Sequence, residues 1–575
     1  MKKIKSYVMM ALVGLSVSSC KDFLTLMPLN EVVLENFWTD MSDVESVLMG
    51  TYAALESSDC VVRMSIWGEM RSDNIIGNQS SQGNNGSSSG QDDILQITRD
   101  NILQTNQYAN YKCFYDVINR ANTVLHFAPL VAEKDPNYTG ALLQGNEAEA
   151  IAIRSLAYWY LIRAYKDVPY TTIPSIDDTH DFFIGQTPFN DVLDSLIYDL
   201  ERVKNWANNS YTLESHNTGR ITRAAIHAML ADMYLWKGDY EKCIEHCEWI
   251  TTRKLEEYQK LERKNSKSNT VKLINGYPLI TETPTTTTAG NAYNEIFGKG
   301  NAFEVIFELP YDQTTSNPFV SSYYNDKNSK TGKLKALPEI GNGFGQGNGN
   351  SVFIQPTDGR YYQNISEGGS SDYGIVKYVL EKVEYDLKSG MVTGTLKTTR
   401  RDGTEPNWII YRYTDVLLME AEAKVMMAAD YDAETQNAEI QALFTDAFNL
   451  VDAVNKRAIC KERYQDAAKE LKFTDYNSSV RTMEDLVLSE RRRELMFEGK
   501  RWFDLVRMAL REGNTKRLFS MVEKKYDESN KSAVRIKMTE LDALFFPLSK
   551  DEIKINDKLK QNPVYIEDEF IEKAK

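Results

Sequence analysis

Apolar residues recur at spacings of three and four along much of this chain, the period that gathers them on one face of an α-helix. The pattern dominates residues 41–255, and its clearest runs, 146–166 and 221–252, predict long helices. It lapses between 256 and 400, where glycine, asparagine, serine and threonine concentrate, as at 285–288 and in Gly341-Asn342-Gly343-Phe344-Gly345-Gln346-Gly347. Regular helices do not persist through such segments, so long loops with short strands are expected there, the strands at 304–309 and 375–385. Helical periodicity returns near Trp408 and runs through 409–429, 439–457 and 483–510. The chain is therefore expected to be mainly α: a helical region at 41–255, a variable loop-rich region at 256–400 and a second helical region at 401–575. A chain of 575 residues exceeds the size at which one compact core keeps growing, which predicts several sub-cores or a partly repetitive helical body.

Within 221–252 the spacing is informative. Leu230-Ala231, Tyr234, Gly238-Asp239-Tyr240, Cys243 and Cys247 follow a tetratricopeptide repeat, two helices joined at a turn. Glycine would end the first helix because it enters the left-handed conformation cheaply. Cys243 and Cys247 then fall against the partner helix. Zinc ligation by Cys243, His246 and Cys247 is the competing reading; it needs a fourth ligand, and the chain holds only five histidines. Of six cysteines, setting aside Cys20 leaves Cys60, Cys113, Cys243, Cys247 and Cys460, an odd and scattered set that predicts no disulfide framework.

The amino terminus sets an address. Lys2, Lys3 and Lys5 precede an apolar run from residue 7 to 17, the charged-then-apolar order of an export signal and too short to span a bilayer. Val17-Ser18-Ser19-Cys20 resembles the site cut by lipoprotein signal peptidase, which predicts a signal peptide at 1–19, lipidation of Cys20 and a tether at 20–40. Two acyl chains suffice for stable attachment, so the expected membrane contact is the lipid anchor alone.

Charge and motifs narrow the function further. A net charge of -15 argues against a nucleic-acid partner, since phosphate binding draws on clustered Lys and Arg. The glycine-rich run lacks the Gly-Lys-Ser/Thr of a phosphate loop, and there is no dinucleotide fingerprint, Ser-centred nucleophile elbow or His-Glu-x-x-His motif. With 82 acidic residues, carboxylate pairs carry no information about glycoside chemistry. No cofactor is expected; a structural calcium ion stays open, with no twelve-residue Asp/Asn loop from which to name ligands. The alternating charges from Glu490 to Asp504 predict a solvated, ion-paired helix face, each exposed pair contributing a few tenths of a kcal/mol.

Three segments in order, 412–423 (Arg412-Tyr413-Thr414-Asp415 onward), 490–507, and Phe546-Pro547-Leu548 with Asn556 and Gln561-Asn562-Pro563, resemble the SusD/RagB nutrient-binding lipoproteins of Bacteroidetes. Upstream, Trp67-Gly68-Glu69-Met70-Arg71-Ser72-Asp73-Asn74, the 111–122 helix and 154–170 are similar to that family as well. The resemblance implies a SusD-like body of tetratricopeptide-like helix pairs with an irregular ligand-binding half. It also implies an outer-membrane, cell-surface location, a SusC-like TonB-dependent transporter as partner, a glycan or sometimes a peptide as ligand, and no bond chemistry. A glycan site needs aromatic faces flanked by hydrogen-bonding groups, on loops. No tryptophan falls between 256 and 400, so the aromatics available there are Tyr323, Tyr324, Phe344, Phe353, Tyr361, Tyr362 and Tyr373, with the pairs Tyr323, Tyr324 and Tyr361, Tyr362 as the site candidates. Beside the Gly/Asn/Ser-rich stretch 75–92, Trp67, Arg71, Asp73 and Asn74 are candidates for one wall, the alternative being that they order the loop and fill the core. A protein-binding helical scaffold without small ligand is the rival reading, but it would not require the loop-rich middle.

Overall fold

The periodic stretches fold into helices that pack side by side in chain order. The computed structural model describes residues 37–78, 91–176, 183–264, 270–284, 287–324, 332–341, 352–353, 357–367, 373–386, 388, 399–400, 405–459 and 470–566. Its principal helices are α1 (Met41–Leu55), α2 (Ser58–Glu69), α3 (Lys112–Ala132), α4 (Gly140–Tyr165), α5 (Phe189–Val203), α6 (Arg223–Lys237), α7 (Tyr240–Arg263), α8 (Tyr413–Ala429), α9 (Asn437–Ala458), α10 (Val480–Leu495) and α11 (Arg501–Glu512). From α3 to α7 each helix lies against the next, with α1 against α3. The fold class is mainly α, as the periodicity predicts.

The α6–α7 turn forms as its residues require. Gly238 sits at φ +83°, and the N–H groups of Gly238 and Asp239 both donate to the Tyr234 carbonyl at 3.0 Å. Asp239 caps α7 by accepting from the Lys242 N–H. Cys243 and Cys247 are fully buried on the packed face of α7, where the repeat spacing puts them. His246 is buried between helices, its Nδ1 2.9 Å from His227 Nδ1 and its Nε2 3.0 Å from Glu201 Oε1.

Short strands tie the irregular middle to the helices: β1 (Ile75–Gly77), β2 (Val305–Leu309), β3 (Leu334–Ala336), β4 (Ile365–Glu367), β5 (Tyr373–Ile375) and β6 (Trp408–Arg412). The structure departs from the periodicity in three places. Trp408 to Arg412 is not the start of a helix but a strand, buried throughout and paired antiparallel with β2. A short apolar run cannot be told from a buried helix by period alone, and here the partner strand decides. The strand expected at 375–385 is split into β5, Leu380–Lys382 and Glu384–Asp386, each with a different partner, because the chain turns through Tyr378 at φ +67°. The helix expected over 483–510 breaks between α10 and α11, where Phe497 and Gly499 take positive φ. The break is enforced by contact: a Cβ on Gly68 of α2 would lie 1.8 Å from the Gly499 carbonyl oxygen, so helix and turn meet backbone to backbone.

The apolar core is one contiguous cluster reaching from Trp38 to Tyr565 rather than several sub-cores. Several contacts join the halves, among them the packing of α7 on α8 and of α2 on α11, and the pairing of β2 with β6 immediately before α8.

The charged run also differs from its expected place. Glu490, Arg491, Arg493, Glu494, Glu498, Arg501, Asp504 and Arg507 are all buried. Arg412 bonds Glu494 at 2.7 Å and Glu498 at 2.8 Å, Arg360 bonds Asp358 and Glu490, Lys377 bonds Glu498 at 2.6 Å, and Arg507 bonds Glu422 at 2.6 Å. Each charge meets its opposite, from another element for all but Arg493, which pairs with Glu490 on its own helix; such pairing is the condition for burying a charge without a penalty of several kcal/mol.

Candidate functional site

Trp67, Arg71, Asp73 and Asn74 lie at the end of α2 and in the turn into β1, and all four are buried. The Trp67 indole N–H donates to the Tyr108 carbonyl at 2.9 Å, and its ring stacks on Phe114. Arg71 donates to the carbonyls of Ala543 and Leu544 at 2.6 and 2.7 Å and to Asp100, with its guanidinium 4.3 Å over the Trp502 ring. Asp73 pairs with Arg501 at 2.8 Å and Arg492 at 3.0 Å. Burial by itself would raise the pKa of Asp73, but the two guanidinium groups outweigh it and bring the carboxyl down to about 2. Asn74 donates to Glu69 and accepts from Arg492 Nε, both at 2.8 Å. These side chains do not face solvent; they form a foundation under the turn into β1.

The tyrosines are also mostly interior. Tyr323 stacks on Phe319, shares a 2.9 Å hydrogen bond with the Tyr108 hydroxyl, and has Lys333 Nζ 5.0 Å from its ring centre. Tyr324 is fully buried and donates to the Phe497 carbonyl at 2.8 Å. Tyr361 is buried edge-on to Phe353, and only Tyr362, edge-on to Tyr361, is half-buried.

Above the foundation, the backbone brings distant segments to one patch. The Asn74 carbonyl accepts from the Leu337 N–H at 2.8 Å, and β1 then pairs antiparallel with β3, Ile75 opposite Ala336 and Gly77 opposite Leu334. Asn78 continues the ladder through its N–H to the Lys333 carbonyl (2.9 Å) and its side-chain amide to the Gly332 carbonyl (2.8 Å). β3 lies against β5, which pairs with β4, and the Tyr373 ring fills the space a Cβ on Gly341 would need. The residues flanking 79–90, 325–331, 342–351 and 368–372 thus converge, with the half-exposed side chains of Ile76, Lys333, Lys335 and Tyr373 among them. Burial lowers the pKa of Lys333. Those four segments, with Phe344, most of 75–92 and all but Gly341 of the glycine-rich run, lie outside the described residues, as does Cys20. No local pattern marks Lys333 or Lys335, because their place depends on the pairing of β1 with a strand far along the chain.

The foundation makes a direct prediction. Asp73→Asn leaves the buried Arg501 and the partly buried Arg492 short of a carboxylate and is expected to destabilise the protein by about 3 kcal/mol. Urea unfolding measures this, and limited proteolysis should find new cleavage next to β1. An unchanged midpoint and digest would show that the pair does not hold the β1 stem.

With this geometry in place, similarity to known proteins is specific. A family model described as "SusD family" matches residues 303–565, and one described as "Starch-binding associating with outer membrane" matches 30–235. The SusD-like proteins P38 and P2 of Formosa agariphila are 25% and 24% identical to the chain; the alignments cover 88% and 89% of it and 92% and 91% of them. A SusD superfamily structure from Bacteroides vulgatus superposes with TM-score 0.65 at 17% identity, covering 92% of this chain and all of the other. The surface glycan-binding protein A of Bacteroides thetaiotaomicron, solved with laminarihexaose, superposes with TM-score 0.59 at 18% identity over 91% of this chain and 100% of that one. The solved structures share the fold, and the two family models, in tandem, take in most of the sequence. The chain belongs to the SusD/RagB family.

Proposed function

We propose that the protein is a lipid-anchored nutrient receptor on the outer face of the outer membrane that captures a neutral glycan at the β1–β3–β5 patch. It hands that glycan to a SusC-like TonB-dependent transporter and breaks no bond itself. The observation that carries this reading is the convergence of four loop stems on a buried, ion-paired foundation. A rigid scaffold presenting several loops at one place is the usual arrangement of a binding surface. Two of the four segments agree in composition: 79–90 and 342–351 contain no Asp, Glu, Lys or Arg and are rich in Asn, Gln, Ser and Gly, suited to sugar hydroxyls, while 325–331 carries Asp326, Lys327 and Lys330 and 368–372 carries Asp372. The glycan-binding relative supports the ligand class, and the outer-membrane description of the second family model supports the location. Lys2, Lys3 and Lys5, the apolar run and Val17-Ser18-Ser19-Cys20 support the anchor.

A screen of the purified protein against neutral and anionic oligosaccharides and oligopeptides tests the ligand class. Binding of a neutral oligosaccharide without its hydrolysis is expected, weakened about tenfold by Tyr373→Ala through loss of an aromatic contact. A peptide or anionic hit in its place, or product release by the protein alone, would overturn the proposal. Absence of palmitate labelling in the wild type would remove the anchor, and labelling that survives Cys20→Ala would remove Cys20 as its site.

A further inference from the structure

A second concave surface lies between α4, α5 and the chain that follows the Val168–Pro169 strand. It is an open groove of about 510 Å³ lined by Arg154, Tyr170, Thr172, Asp194, Ser195, Tyr198 and Asp199. Small-ligand sites fall in the range of about 300–1,000 Å³. Its residues are distinct from those of the loop-stem patch.

The groove is built rather than incidental. Arg154 is only 5% exposed; its Nη1 donates to Asn122 at 2.9 Å and its Nη2 to Asp199 at 2.7 Å. Its buried Nε has no hydrogen-bond partner among the described residues. Buried donors are normally satisfied, so one left over beside a groove marks the place of an acceptor. The facing chain is pinned by the same residues: Asn122 also donates to the carbonyl of Thr171, Tyr158 exchanges 2.9 Å hydrogen bonds with the Thr171 backbone, and Asn119 accepts from the Ser175 N–H. Tyr170 packs on Tyr158 with ring centres 4.8 Å apart. On the other side, Tyr198 stands 69% exposed on α5, an aromatic ring with little to cover it.

The charges select the ligand. Asp199 is balanced by Arg154, and Asp194 by Lys237 at 2.7 Å. An anion would meet two carboxylates, and a cation would meet Arg154. A polyol would meet an N–H donor, carboxylate acceptors and hydroxyls, with aromatic rings for its apolar face.

We propose that this groove is a second saccharide subsite, in which Tyr198 and Tyr170 contact the sugar ring, Arg154 Nε donates to a hydroxyl or ring oxygen, and Asp194 and Asp199 accept from neighbouring hydroxyls. The inference rests on the reading that the protein binds glycans. Two subsites on one receptor would let a long polymer be held at two points, raising its retention without a new contact at the first.

Isothermal titration of the purified protein with neutral hexasaccharides, laminarihexaose and maltohexaose among them, tests it, with Tyr198→Ala and Asp194→Asn as groove variants and Tyr373→Ala as the patch variant. Both groove positions are exposed, so the variants are expected to keep the wild-type melting temperature. The expected result is a two-site isotherm in which Tyr198→Ala weakens one site at least tenfold, equivalent to about 1.4 kcal/mol, and spares the other. Tyr373→Ala should do the reverse. Groove-variant isotherms that superpose on the wild type overturn the second subsite while leaving the first intact. Absence of any hexasaccharide binding by the wild type overturns the glycan reading itself, and the subsite with it.

Discussion

Glu494→Gln is expected to destabilise the protein by about 3–5 kcal/mol, enough to exhaust much of an ordinary domain's margin. Its carboxylate accepts from Arg412 at 2.7 Å, from Arg360 at 3.1 Å and from Arg457, while its backbone carbonyl accepts from Arg412 and Lys377. One side chain therefore ties α10 to β6, to α9 and to the Gly359–Asn364 helix. Burial alone would push the Glu494 carboxyl up, but Arg457, Arg412 and Arg360 hold it well below the usual carboxylate range. The amide keeps the shape and removes the charge, leaving three buried guanidinium groups with less anion than they need. Urea unfolding followed by circular dichroism measures the loss. A control in the exposed Lys242–Glu245 pair, Glu245→Gln, should cost less than about 1 kcal/mol. Equal midpoints for the two variants would mean that the buried cluster does not hold the halves together.

Acid is expected to unfold the protein steeply between about pH 4 and pH 2. In Asp73, Asp415 and Glu422 the raising effect of burial is outweighed by Arg and Lys partners, and each carboxyl is brought down to about 2; Glu490 and Glu498 are lowered in the same way by Arg360, Arg493, Arg412 and Lys377. A carboxyl whose folded pKa is depressed contributes stability above its unfolded value of about 4 and loses it as pH falls through the folded value. Each group at about 2 contributes on the order of 2 kcal/mol, and the losses coincide. Glu69 and Glu420 act oppositely: burial raises both to about 7, so their contribution is present below the unfolded value and disappears as pH rises through 7. Melting temperatures across pH 2–9 should therefore peak at mildly acidic pH and fall sharply below 4. A profile flat down to pH 2.5 would contradict the pairing that the structure describes.

Much of the helical body was legible in the sequence because helix period, caps and turns are local. Gly238-Asp239-Tyr240 marks its own turn, and the apolar spacing on either side marks the faces that meet. The candidate site was less legible. Trp67, Arg71, Asp73 and Asn74 were visible as a group with a purpose, yet the same residues serve a wall or a foundation equally well in sequence. Lys333 and Lys335 carried no signal at all, since only the pairing of β1 with β3 brings them to the patch.

By itself the sequence determined the helical class, the paired-helix turn, the strand before Pro310 to within a residue, and the family. Tertiary structure alone decided that the Glu490–Arg507 charges lie inside, that Trp408 to Arg412 is a strand, and which segments surround one patch. The reason is range: periodicity and turn chemistry act over a few residues, whereas the burial of a charge or the pairing of a short strand depends on partners such as Arg360, Arg412 and Glu422 that only the folded chain delivers.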